Sequence, residues 1–297
     1  MSRAFRLKQG EPVPEGIARI ARGRIDHAID ALSDSGADPE EAVHDARKDM
    51  KKLRALLRLV RGEIGEKVYR RESACFRDAA RELAGVRDAD VMLATLAALE
   101  ERYADELPAD AVGDIRQALE AHRIRTAAGT RAQAAKAAVA ILKEARGRVA
   151  DWPLERDGFE PMADGLRRTY RRGRRDWRAS LSEPSAENLH EWRKRVKDLW
   201  YHCSILQETW KPVMSALADE AHELSDRLGD DHDLAVLLDW GAEPLEPVIA
   251  RRRRELQDEA FAYGARLYAD KPKALVRRVE HWWTASTRTA RAEAAHH

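Results

Sequence analysis

Two short stretches of the chain carry the same ionisable side chains at the same spacing. His44, Arg47, Lys48 and Lys51 stand in VHDARKDMKKLRALLRLVR, which begins at Val43, and His190, Arg193, Lys194 and Lys197 stand in LHEWRKRVKDLWYHCSIL, which begins at Leu189. Wound as a helix at about 100° per residue, His44, Arg47, Lys48, Lys51 and Arg58 form one stripe roughly 100° wide, and Arg54 joins them as a candidate. Val43, Ala46, Met50, Leu53, Leu57 and Val60 fall on the other side, as a core face would. The second stretch repeats the division. His190, Arg193, Lys194, Lys197 and Tyr201 share one stripe, while Leu189, Trp192, Val196, Leu199, Cys203 and Leu206 share the other.

An ordinary solvated helix face mixes signs, because opposite charges at i,i+4 support a helix and like charges there weaken it. The first stripe carries no carboxylate, since Asp45 and Asp49 project elsewhere, so an anion is expected to offset the repulsion. A third basic element lies between the two stretches. GLRRTYRRGRRDWR, residues 165–178, holds seven arginines and one acid, and Arg168, Arg171, Arg172 and Arg175 can share a face. Arginine suits phosphate because its planar fork donates two parallel hydrogen bonds, whereas lysine supplies a point charge. The run 251–254 is also basic, but Glu255, Asp258 and Glu259 follow it, which equally fits a solvated face. With 53 Lys plus Arg against 52 Asp plus Glu, an acidic patch is expected far from the cations.

Other chemistries fit less well. The neighbours of His44 and His190 on their stripes are Arg and Lys, which repel a divalent cation, so a metal-dependent phosphohydrolase is the weaker alternative and no metal or cofactor is expected. No serine or cysteine with a partner base is apparent, nor a glycine-rich phosphate loop. Cys75 and Cys203 read as free thiols inside apolar helical patterns. Nucleic acid would bind such stripes through counterion release, but only non-specifically, because stacking platforms between the cations are missing and Trp192 lies on the core face. No apolar run approaches the ~20 residues of a membrane span, no signal peptide is visible, and a cytosolic protein without a membrane partner is expected.

The elements that must hold these stripes are helices. Ala, Leu, Arg and Glu dominate the 297 residues, only 16 Gly and 11 Pro interrupt them, and no segment alternates long enough for a strand. Helices are predicted over 14–29, 39–61, 67–84, 88–104, 108–146, 162–181, 186–208, 212–228, 233–240, 247–268 and 272–289. Asp38-Pro39 is the expected cap and first turn of the second. Five positions of the twin stretches match at an offset of 146, and Arg87-Asp88 and His232-Asp233 follow their histidines by 43 and 42 residues. Arg77 and His222 each stand ten residues before Arg87 and His232. Duplication of one helical unit explains this spacing, with halves at about 5–150 and 160–290 and a Pro- and Gly-containing linker at 151–161.

With these twin H-x-x-R-K-x-x-K motifs, the paired R/H-D dipeptides and the Arg-rich helix between them, the chain resembles the CHAD family, the conserved histidine α-helical domain, over about residues 5–283. The resemblance implies one all-α domain of two four-helix-type bundles related by pseudo-twofold symmetry, with a basic groove or pore between them. It implies binding of inorganic polyphosphate and, in some members, targeting to polyphosphate granules. Carried over by position, it assigns His44, Arg47, Lys48, Lys51, His190, Arg193, Lys194 and Lys197 to the ligand. Arg87 and His232 match less closely, since His replaces the more usual Arg, and Lys52 has Asp198 as its repeat partner.

Overall fold

The computed structural model describes residues 5–34, 36–83, 88–127 and 131–294. Among them are eleven α-helices and no strand: α1 Val13–Ser33, α2 Pro39–Leu59, α3 Arg61–Glu82, α4 Asp88–Tyr103, α5 Ala109–Ala127, α6 Arg131–Arg148, α7 Glu160–Ser182, α8 Ala186–Ile205, α9 Lys211–Asp239, α10 Glu246–Leu267 and α11 Pro272–Ala294. The expected all-α class holds.

The two motif helices start where capping chemistry says they should. The Asp38 carboxylate accepts the Glu40 amide at 3.1 Å ahead of Pro39, and the Ser185 hydroxyl accepts the Asn188 amide at 3.2 Å. α2 stops at Leu59, and Gly65, at φ 74°, kinks α3 within its first turns.

α1, α2, α3 and α6 pack together, and so do α7, α8, α9 and α10, with α11 laid on α7. Neither set keeps its core to itself. One apolar cluster runs from Ile17, Ile25, Leu53 and Phe76 through Leu166 and Tyr170 to Trp192 and Leu224. A second joins Leu96, Leu99, Ile115 and Leu119 of α4 and α5 to Leu234, Leu237, Ile249 and Leu256 of α9 and α10. Each fully buried aliphatic contributes roughly 1.5–3 kcal/mol, so the apolar term holds the halves to one another as well as within themselves.

One predicted boundary comes out differently, and another falls outside the described residues. Of the segment expected as one helix over 108–146, residues 128–130 lie outside the described residues; on either side of them α5 packs on α4, and α6 packs on α1 and α3. The break expected between 228 and 233 is absent, and α9 runs for 29 residues. Asp231, read as part of a break, is buried and accepts from Arg253 at 3.0 Å and Gln257 at 2.7 Å on α10. Gly229 stays helical, and the space its missing Cβ leaves is filled by Arg193.

α7 meets α2 backbone to backbone. A Cβ on Gly165 would stand 1.9 Å from the Leu59 carbonyl oxygen, so only glycine allows this crossing. It brings the Arg-rich helix to the C-terminal end of the first stripe.

Candidate functional site

α2 and α8 lie against each other, and three contacts fix the pair. His202, fully buried, shares a 2.9 Å hydrogen bond through Nε2 with the Ala55 carbonyl. Arg58 donates to Asp198 at 3.0 Å, and Arg195 donates to the other oxygen of the same carboxylate at 2.9 Å. Along this seam the two stripes converge. Lys197 of α8 is half-buried within electrostatic reach of Lys51, its repeat equivalent on α2, and of Arg193. Burial first, then Arg193 and Lys51, push its ammonium down to about 7, against the attraction of Asp226 and Asp233 on α9.

The charge continues along the seam in both directions. Arg54 has a buried Nε without a partner, and burial together with Arg58 holds it below the usual arginine range. Arg77 is exposed on α3, donates to Asp78 at 3.1 Å and lies within reach of Arg54. Farther on, exposed Arg172 of α7 is lowered by burial and by Arg195, Arg175 and Arg61. Tyr69 on α3 neighbours both Arg54 and Arg172, so the Arg-rich helix and the first stripe border one surface. In the other direction the His190 ring meets the His232 ring edge-on, centroids 4.5 Å apart. Burial, followed by His232, Lys194 and Arg193, drives His190 down to about 4. Arg193 also has a buried Nε without a partner.

The remaining candidates sit as follows. Arg47 donates to the Leu83 carbonyl at 3.0 Å, and Lys48 is exposed. Arg168 is held by Asp164, Arg171 lies exposed within reach of the same carboxylate, and Arg175 pairs with Asp176 at 2.7 Å. Lys194 pairs with Glu191. His222 packs on Trp200, centroids 3.9 Å apart, and lies 3.6 Å from Asp226. Tyr201 is only 3% exposed, and its ring packs against Phe5 and Trp200. Arg87 lies outside the described residues. Arg195, Arg61 and Tyr69 were missed by sequence reasoning: Arg195 falls off the second stripe, and Arg61 and Tyr69 stand on α3, outside the stripe of α2.

The acidic patch is not remote. A cavity of about 990 Å³ between α2, α4, α9 and α10 is lined by His44 together with Asp38, Glu40, Glu41, Asp90, Glu101, Asp230 and Asp233. The stripe from His44 onward carries no carboxylate, but Glu40 and Glu41 just before it on α2, and acids of α4 and α9, surround its start, so His44 marks the acidic end of the seam. No group of three or more His, Cys, Asp or Glu able to hold a metal ion occurs among the described residues. Nor is any helix among them long and apolar enough to cross a membrane.

Compared with protein families, the chain matches the CHAD domain over residues 19–242, a span that holds both histidine motifs, the Arg-rich helix and the whole of α9. More than half of the chain is matched, and the protein belongs to the CHAD family. No curated protein matches the sequence.

Proposed function

Proceeding from membership of this family, we propose that the chain binds inorganic polyphosphate, without chemistry, along the seam between α2 and α8 and onto the Arg-rich face of α7. One observation carries the reading. Lys51 and Lys197, equivalent positions of the two halves, meet there with Arg193 in surroundings that push the Lys197 ammonium down to about 7. Cations gathered at a cost to their own charged forms imply a polyanion that relieves the repulsion. Buried, unpartnered Nε–H groups on Arg54 and Arg193 offer donors to phosphate oxygens. Nucleic acid shares the phosphates but also presents bases, and the one aromatic ring on the predicted stripes, Tyr201, is covered by Phe5 and Trp200. The same contacts would carry the protein to polyphosphate granules.

The test is competition along one salt series among long-chain polyphosphate, orthophosphate, triphosphate and single-stranded DNA. Tightest binding of long-chain polyphosphate at every salt concentration is expected. Equal or tighter binding of DNA at matched charge would replace the reading with a general polyanion surface.

A further inference from the structure

A second cavity lies apart from the seam. It encloses about 560 Å³ between the segment before α1, the turn into α7, the end of α8 and one face of α11. Lys8, Glu11 and all of α11 stand outside residues 19–242, the span that matches the CHAD domain, so the twin motifs do not account for it. Glu280, Trp283, Thr284, Thr287 and Arg288 line it at i, i+3, i+4, i+7 and i+8, which is one face of α11. Glu280 stands eight residues before Arg288, about 12 Å along the axis at 1.5 Å per residue. Neither forms an ion pair among the described residues. The other acids of the wall are engaged: Glu11 with Arg19 at 2.6 Å, Glu160 with Arg156 at 2.7 Å, Glu208 with Arg6 at 3.2 Å, and Asp157 with the Val13 amide at 2.8 Å.

Between the two unpaired charges the wall is largely apolar, with the Trp283 and Phe159 rings 6.2 Å apart. Thr284 and Thr287 donate to carbonyls of α11 itself, at 2.9 and 3.0 Å. Thr209 differs from them. It lines the cavity and is only 5% exposed, and its hydroxyl has no hydrogen-bond partner among the described residues. A buried hydroxyl left unpaired is costly, and a ligand at this wall relieves the cost.

We propose that this cavity binds a short zwitterionic peptide of about dipeptide length, with its ammonium at Glu280 and its carboxylate at Arg288. A hydrogen bond of about 3 Å at each end leaves roughly 6 Å of the 12 Å for the ligand, close to two extended residues at about 3.3 Å each. The guanidinium fork of Arg288 matches a carboxylate. Apolar side chains of the ligand pack on Trp283 and Phe159, and the peptide carbonyl accepts from Thr209. Five carboxylates against two cations on the wall repel a polyphosphate chain, so this site and the seam take different ligands.

The experiment titrates the full chain calorimetrically with phenylalanyl-leucine, its N-acetyl form, its C-terminal amide, and glycyl-glycine. The unblocked apolar dipeptide should bind best. Each blocked form should bind roughly tenfold more weakly or worse, the cost of one hydrogen bond to a charged group. Glu280→Gln should abolish the preference for a free amino terminus and keep that for a free carboxylate. Arg288→Gln should do the converse, and both positions are exposed, so the fold should tolerate the changes. Thr209→Val should weaken all forms alike. Saturating long-chain polyphosphate should leave dipeptide binding unchanged. Absence of phenylalanyl-leucine binding, or equal binding of the blocked forms, overturns the proposal. So do two charge variants with the same end preferences as the parent chain, and displacement of the dipeptide by polyphosphate.

Discussion

A protonatable group held away from its ordinary pKa records what surrounds it, and two such groups give opposite signs here. Lys197 stands near 7 in the free protein, and a phosphate chain beside it would raise that value. Below about 7 the amine is charged with or without ligand, so proton uptake does not contribute. Above it, binding must take up a proton, and affinity falls with rising pH until the bound value is passed, by up to about tenfold per unit. Long-chain polyphosphate should therefore bind measurably more weakly at pH 9 than at pH 7, and Lys197→Arg should flatten the decline. Equal affinity at both values in the parent protein would place the ligand elsewhere. His190 does not add a change near 6.5, the ordinary histidine value, because burial and its cationic neighbours already push it to about 4. His202 gives the second sign. It is fully buried, and burial lowers it to about 4. The unfolded chain, near 6.5, then binds the proton more readily. Stability is complete above about 6.5 and is lost as pH falls towards 4, by on the order of 3 kcal/mol in total. Denaturant midpoints at pH 7 and pH 4.5 measure the loss, and His202→Gln, which keeps a donor for the Ala55 carbonyl, should shrink it. A variant with an undiminished pH dependence would assign the proton to another group.

Among the elements, two helix glycines with similar surroundings in sequence have different jobs. At Gly165 the obstacle to a side chain is the backbone oxygen of Leu59, 1.9 Å from the would-be Cβ, so Gly165→Ala must push α7 off α2. Overpacking of this kind costs about 1–3 kcal/mol or more, to be read as a lowered thermal midpoint. At Gly229 the obstacle is the movable end of Arg193, 2.6 Å away. Gly229→Ala should keep most of the stability and lose polyphosphate affinity, because the guanidinium must leave its recess. Loss of stability without loss of affinity would show that Arg193 does not serve the ligand. The contrast explains what was legible beforehand. Helix type, the capped start at Asp38 and the core faces of α2 and α8 follow from the local sequence. The run of α9 through Gly229 does not, because tertiary partners decide it: Arg253 and Gln257 on α10 hold Asp231. The twin cation motifs were legible because duplication wrote them twice. The Asp198 contacts with Arg58 and Arg195 left one trace, the mismatch of Lys52 with Asp198, and of the acidic lining around His44 only Asp38, Glu40 and Glu41, just before it in the sequence, were legible, since α4 and α9 supply the rest.

Across the whole molecule, the two halves are equivalent in sequence but unequal in surroundings. The first stripe runs 14 residues from His44 to Arg58, about 21 Å at 1.5 Å per residue, from an acid-lined cavity to the crossing with α7. The second places Arg193 and Lys197 inward and commits Lys194 to Glu191. A single phosphate can engage only one or two of these cations, whereas a chain can span the seam and engage many, each contact releasing a counterion if the behaviour of nucleic acids carries over. Affinity should climb steeply with chain length and fall steeply with salt. Replacing Arg47, Lys48 and Lys51 together by Ala should weaken long-chain binding and reduce the slope of log affinity against log salt by up to about three, the number of charges removed. The matching change at Arg193, Lys194 and Lys197 removes the same formal charge. Its effect on the slope should be smaller, because Lys194 already has a carboxylate partner in Glu191. Its effect on affinity at high salt should be larger, because Arg193 and Lys197 stand nearest the meeting of the halves. Isothermal titration over a salt series at fixed pH separates the two quantities. Identical slopes and identical high-salt affinities for the two variants would mean that both stripes act as plain surface charge, and short phosphates binding as tightly as long ones would replace the seam with one compact anion site.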